Sequence, residues 1–155
     1  MIRINITPQT HVRTTQGDRI YFRIPREKLR YAGLKRLERI EKYNQYKIDL
    51  LSLCKAKRFQ LPSQGLCITF FIPVPKSWSA KKKKQYHGTL HQSTPDIDNL
   101  VKATFDSLTS EDKFIGHIGC LCKRWVNFEV GWIEFDIIEP ILKEIGTTNE
   151  CLFKI

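Results

Sequence analysis

No run of apolar residues in this 155-residue chain approaches the roughly 18 to 20 that a bilayer span requires. The opening residues Met1-Ile2-Arg3-Ile4-Asn5 also lack the apolar centre of a secretory signal. A cytoplasmic protein without membrane association is expected. The cysteines offer no framework either, because Cys54, Cys67, Cys120, Cys122 and Cys151 are odd in number and contain no C-x-x-C pair. That argues against structural zinc or a disulfide scaffold and for free thiols in a reducing compartment. No internal repeat is visible. Acid is scarce: Asp and Glu number 16 against 26 Lys and Arg, a formal charge of +10. Between Asp49 and Asp96 there is no carboxylate at all, while Lys55, Lys57, Arg58, Lys76 and the run Lys81 to Lys84 supply eight cations. Such a distribution points to a polyanionic partner, nucleic acid first and a membrane surface second, with a merely solvated lysine loop as the bland alternative.

The length and the 41% hydrophobic content suit one domain, residues 1–155, with a core of its own. Ile2, Ile4 and Ile6 alternate with polar residues and predict a strand ending near Pro8; after a turn at Gly17-Asp18, Ile20, Phe22 and Ile24 predict a second. From Leu29 to Arg58 the period becomes helical, with Leu34, Leu37, Ile40, Ile48 and Leu51 on one arc and Lys35, Arg39, Lys42 and Asp49 opposite. The apolar run Leu66 to Val74 reads as a central strand covered on both faces. Residues 76–94 form a basic loop with one short helical turn through the lysines. Thr94 as N-cap and Pro95 as first helical residue open a helix running to Leu108, with Leu100, Val101, Phe105 and Leu108 on one side. Two strands follow, Phe114 to Val126 and Gly131 to Ile138, joined by a turn after Asn127, and 140–155 reads as a docked helix or a tail. The fold class is α/β of the α+β kind, a small mixed sheet packed by two main helices.

Chemistry concentrates where the basic stretch ends. Asp96 and Asp98 stand at the mouth of a helix, and Asp98, Lys102 and Asp106 share a stripe at i, i+4, i+8 on the face away from the apolar side. Glu111-Asp112 follows the helix directly. Carboxylates converging in a basic surrounding suit a hard cation such as Mg²⁺, which takes oxygen ligands and lets phosphate oxygens complete its shell. Two plainer readings stand beside it: acids in a first helical turn are favoured by the helix dipole alone, and Asp98 with Lys102 makes a surface ion pair.

The string Thr94-Pro95-Asp96-Ile97-Asp98-Asn99-Leu100-Val101-Lys102-Ala103, continuing through Phe105-Asp106-Ser107-Leu108, resembles the RusA-type Holliday-junction resolvases, whose signature reads P-D-x-D-N-L-x-K followed by D-[AS]-L. Pro75 to Lys84 and Lys123-Arg124-Trp125 resemble the prophage-encoded branch, and the likeness is clearest over residues 66–138. The resemblance implies a Mg²⁺-dependent endodeoxyribonuclease, with Mn²⁺ as a substitute, that works as a homodimer in a bacterial cytoplasm. It would place paired nicks in four-way DNA junctions during recombination and repair. It further implies that Asp96, Asp98 and Asp112 hold the metal and that Lys102 steadies charge on the phosphate. The connection before Asp112 is shorter than in founding members, so an ungapped reading brings His117 to the third ligand position instead.

Asn99 and Asp106 are expected to brace the helix mouth. Lys76, Lys81, Lys82, Lys83, Lys84, Lys123 and Arg124 are expected to grip DNA backbones, and Trp78 and Tyr86 either stack on bases or anchor the loop. His87 and His91, at i, i+4, are read as structural or phosphate contacts rather than zinc ligands, and Cys120 and Cys122 as buried packing. Trp125, Trp132 and Phe135 suit a core or an interface. The alternative function is a non-catalytic basic module that binds branched DNA or structured RNA; a polybasic membrane-surface protein lacks an amphipathic anchor.

Overall fold

The computed structural model describes residues 1–109 and 112–138, so the expectations for Ser110, Glu111 and 140–155 lie outside the described residues. Among the described residues four strands, β1 (Ile2–Ile4), β2 (Leu66–Pro73), β3 (Ile118–Val126) and β4 (Trp132–Ile137), form one mixed sheet in the order β1-β4-β2-β3. β4 runs antiparallel to both β1 and β2, while β3 runs parallel to β2. The helices are α1 (Tyr31–Ala56), α2 (Ala80–Tyr86) and α3 (Ile97–Leu108). This is the small α+β domain expected from the sequence.

β2 lies inside the sheet and presents Leu66, Ile68, Phe70 and Ile72 to the two long helices. They pack with Ile4, Ile133 and Phe135 of the neighbouring strands, Ile40 and Leu50 of α1, and Leu100 and Ala103 of α3. Each fully buried aliphatic or aromatic side chain contributes about 1.5–3 kcal/mol. Coverage of both faces is corrected to one: Thr69 and Phe71 on the other side stay half-buried, with Phe71 stacked on Trp132 at 4.5 Å and the Arg3 guanidinium 3.8 Å above Trp132.

Several local expectations shift. Ile20, Phe22 and Ile24 form no strand; Gln16–Ile20 is a 3-10 helix followed by a turn, and Ile20 and Phe22 are exposed. The cause is Asp18, whose carboxylate accepts from the Thr15 N–H at 2.7 Å and from the Arg36 guanidinium through two contacts of 2.9 Å. Arg36 also donates to the Arg13 carbonyl at 2.6 Å, which straps residues 13–18 to α1.

The buried face of α1 is Gly33, Leu37, Ile40, Tyr43, Tyr46, Leu50 and Cys54, and Ile48 faces solvent. Leu34 and Leu51 are half-buried. The two tyrosines bury their rings and rotate the face away from the arc that aliphatic residues alone define. Gly33 lets the Tyr21 ring approach closely, since a Cβ would lie 3.1 Å from it and the ring would have to give by a few tenths of an ångström.

The strand expected from Phe114 begins at Ile118 instead, because Phe114 ends a one-turn 3-10 helix, Asp112–Phe114, and is exposed. The thiol expectation also changes: Cys67 and Cys120, across the β2–β3 pairing with Cα atoms 4.6 Å apart, form a disulfide. Cys54 and Cys122 are free, but only Cys54 is buried; β3 is an edge strand, so Cys120 is exposed and Cys122 half-exposed. Trp125, Trp132 and Phe135 are buried.

Candidate active site

The route from the basic segment to the acidic helix mouth runs along the free edge of β3. Gly88 N–H donates to Trp125 O at 2.8 Å, Trp125 N–H to Thr89 O at 2.9 Å, and His91 N–H to Lys123 O at 2.9 Å. The 76–94 stretch is therefore no free loop. It contains α2 and then a short antiparallel ladder, which brings the lysine helix and Asp96 to one sheet edge.

Lys123 finishes this ladder with its side chain. Its Nζ donates to Ser93 O and to Pro95 O, both at 2.6 Å, and so fixes the turn through the cis Thr94–Pro95 bond. Helix α3 then starts later than the Thr94-Pro95 pattern predicts: Asp96 is the N-cap and Ile97 the first helical residue. The Asp96 side chain makes no capping hydrogen bond.

Asp96 and Asp98 are exposed, as is Lys102 one turn further on. Among the described residues none of the three side chains has a hydrogen bond or an ion pair, and in particular Asp98 and Lys102 do not pair with each other. The surface ion pair is therefore absent, and neither acid is tied up by a side-chain cap, while Asp98 in the first turn keeps the favourable field of the helix dipole. Two carboxylates free of internal partners at one helix mouth are the hard oxygen donors that a divalent cation takes. Among the described residues no three His, Cys, Asp or Glu side chains gather to enclose a metal. Asp112 opens the 3-10 turn between α3 and β3, and its side chain lies outside the description.

The remaining candidates divide by what they touch. His117 accepts the Gly65 N–H on Nδ1 at 3.3 Å, beside the start of β2. Asp106 is engaged from two sides: its Oδ2 lies 3.2 Å from His11 Nε2 and accepts from the Tyr43 hydroxyl at 3.3 Å. Burial, with the nearby Asp106 carboxylate adding to it, pushes the Tyr43 hydroxyl well above the usual phenol range. Asn99 is half-buried and its carbonyl receives the His11 N–H at 3.1 Å. His11 and Tyr43 were not legible as site neighbours, because each meets α3 only through the tertiary fold.

Among the basic residues, Lys76, Lys81, Lys82 and Lys84 are exposed. Lys82 covers the Trp78 ring at 4.1 Å, and Lys83 donates to Lys76 O at 3.0 Å. Trp78 packs between Tyr86 and Trp125, at 4.9 and 5.2 Å, so it anchors α2 to β3. Arg124 donates to Gly88 O at 2.8 Å. His91 is buried against the Trp125 ring at 3.8 Å, and His87 accepts the Asn127 N–H at 3.1 Å; the two imidazoles serve different contacts. Burial lowers the His91 pKa, and the neighbouring Lys123 lowers it further.

Among the described residues no helix is long and apolar enough to cross a membrane. No curated protein and no solved structure matches the chain. The family model described as Endodeoxyribonuclease RusA matches residues 19–117, well over half of the chain and inclusive of α1, β2, α2 and α3. The chain therefore belongs to the RusA endodeoxyribonuclease family, enzymes that hydrolyse DNA and that its helix-mouth signature resembles.

Proposed function

We propose that this nuclease resolves four-way DNA junctions by paired strand nicking, in recombination and repair, as a Mg²⁺-dependent homodimer in a bacterial cytoplasm. The observation that carries the reading is the free set of side chains Asp96, Asp98 and Lys102 on a helix whose mouth is reached from the lysine helix along the β3 edge. Exposed lysines together with uncommitted carboxylates suit a phosphodiester held together with a divalent cation.

Asp96, Asp98 and Asp112 would hold the ion. When bound, Mg²⁺, or Mn²⁺ in its place, supplies charge neutralisation at the scissile phosphate and makes water a better acid. Lys102, uncommitted on the adjacent turn, directs its ammonium to a phosphate oxygen and stabilises the charge that grows there. Lys76, Lys81, Lys82 and Lys84 hold the DNA arms by their phosphates. Lys123 acts on the protein side, where it fixes the carbonyls of Ser93 and Pro95 and so the approach to Asp96. Engagement of His117 Nδ1 by Gly65 supports Asp112 as the third carboxylate.

The test is cleavage of a synthetic four-way junction and a matched linear duplex in Mg²⁺ by wild type, Asp98→Asn and Asp112→Asn. Paired nicks in the junction alone are expected, with a loss of at least about 10²-fold in either variant while junction binding persists. Cleavage surviving in Asp112→Asn would shift the third ligand toward His117. Tight binding without cleavage by wild type, in Mg²⁺ or Mn²⁺, would leave a module that binds branched DNA.

A further inference from the structure

Three elements meet at one side chain that the mechanism above does not use. His11, in the segment after β1, donates its backbone N–H to Asn99 O at 3.1 Å and places Nε2 3.2 Å from Asp106 Oδ2. Its ring meets the Tyr43 ring edge-on at 5.8 Å, and the Tyr43 hydroxyl donates to the same Asp106 oxygen at 3.3 Å. The segment is held from behind by Arg36, which joins Arg13 O and Asp18. His11 is therefore fixed against the polar stripe of α3 by backbone, side chain and strap together.

That stripe contains a built-in competition. Lys102 sits one turn from Asp98 and one turn from Asp106, and helical pairs at i, i+4 are within reach of each other. A lysine caught by its own helix is a poor ligand for phosphate. Yet Lys102 pairs with neither carboxylate among the described residues, and Asp106 is the one that has found partners elsewhere.

We propose that His11 is a positioning residue: together with Tyr43 it anchors the Asp106 carboxylate through Oδ2 so that it does not turn to Lys102, and so keeps the Lys102 ammonium free for a DNA phosphate. The assignment rests on the Lys102–phosphate contact of the proposed function. Burial lowers the pKa of His11; Asp106 opposes that shift, while Lys102, Lys47 and Arg13 reinforce it. At pH 8 the imidazole is uncharged, so replacing it removes no cation from the DNA-facing surface.

The test compares wild type, His11→Ala, His11→Gln, Tyr43→Phe and the double variant His11→Ala/Asp106→Asn, with thermal melting of each. Two quantities are read at pH 8: the salt dependence of binding to a synthetic four-way junction in EDTA, and the rate of junction cleavage in Mg²⁺. In His11→Ala the released Asp106 captures Lys102. The slope of log K against log salt is expected to fall by about one, near the ~0.9 per lost phosphate contact, and cleavage to fall about tenfold or more. His11→Gln, whose Nε2 still donates to Asp106, retains most of both. Tyr43→Phe, which removes one donor and little packing, shows a smaller loss in the same direction.

The decisive variant is the double one, in which the neutral amide that replaces the Asp106 carboxylate cannot capture the lysine and both quantities return toward wild type. A residue that merely tied the elements together would give the opposite result, since the double variant has lost more of the tie. Wild-type slope and rate in Tyr43→Phe and His11→Ala, or no recovery in the double variant, would overturn the assignment. A wild type that binds and never cuts would remove the nuclease reading, while the slopes across the variants still decide the role of His11.

Discussion

At Lys123 a charge that reads as a DNA contact is turned inward. Its ammonium, 2.6 Å from two carbonyls, makes charge-assisted bonds of a class worth about 1.5–3 kcal/mol, less here because the side chain is half-exposed to solvent. Lys123→Met is expected to lower stability by about 2 kcal/mol and to slow cleavage about tenfold or more through a loosened Asp96 turn. The salt slope of junction binding should stay at the wild-type value. A slope reduced by about one would return Lys123 to the DNA-contact set.

Asp18 offers a second test at the same scale. Hydrogen bonds from Arg36, with help from the Thr15 N–H, hold its carboxyl well below the usual aspartate range. A depressed folded-state pKa contributes stability that is full above the ordinary value near 3.8 and disappears as pH falls toward the depressed one. Asp18→Asn is therefore expected to be less stable than wild type at pH 6, with a gap that narrows progressively below about pH 4 in urea titrations. A gap independent of pH would mean that the strap works by packing and not by charge.

Among the elements, α2 shows how much a lysine run leaves undecided. The run and its short helical turn were readable, but a run does not say which ammonium groups are available. Lys82 lies over Trp78 and Lys83 reaches Lys76 O, whereas Lys81 and Lys84 are exposed without such contacts. Lys81→Gln and Lys84→Gln are each expected to reduce the junction-binding salt slope by about 0.9 and to weaken linear duplex binding alike. Lys83→Gln should change the slope less. Equal effects from all positions would mean that the internal contacts dissolve on binding.

The other elements were legible in proportion to how strongly their burial follows a simple period. β2 and α3 could be placed to within a few residues because their apolar positions are repeated and their neighbours polar. Residues 20–24 alternate equally well, yet Asp18, Thr15 and Arg36 bind the chain into a 3-10 turn before a strand can form. Tyrosine hid the true face of α1, since the Tyr43 and Tyr46 rings join the core while the Tyr43 hydroxyl still reaches a polar partner, Asp106. Phe114 failed as a strand start because the chain is still turning out of α3 there.

For the whole molecule, the proposed substrate has twofold symmetry, and two coordinated nicks are most simply made by a twofold enzyme. Sedimentation at micromolar concentration is expected to give a species of twice the chain mass, with or without a junction. A monomer that remains monomeric on the junction would disconnect paired nicking from subunit symmetry.

The chain's chemistry was set out locally, in the order of its residues: the acid-free basic segment, the aspartates beside Asn99 and Lys102, and the apolar periods of β2, α1 and α3 all depend on near neighbours. Local spacing determines which groups share a helix face, so Asp98, Lys102 and Asp106 could be aligned without coordinates. The engagement of each group depended on contacts between distant segments. Lys123 meets Pro95 across 28 residues, and Tyr43 meets Asp106 across 63. Only when β3, α1 and the segment carrying His11 close around α3 do some charges become structural and others remain free, because hydrogen bonds and burial act over ångströms in space whatever the separation in sequence.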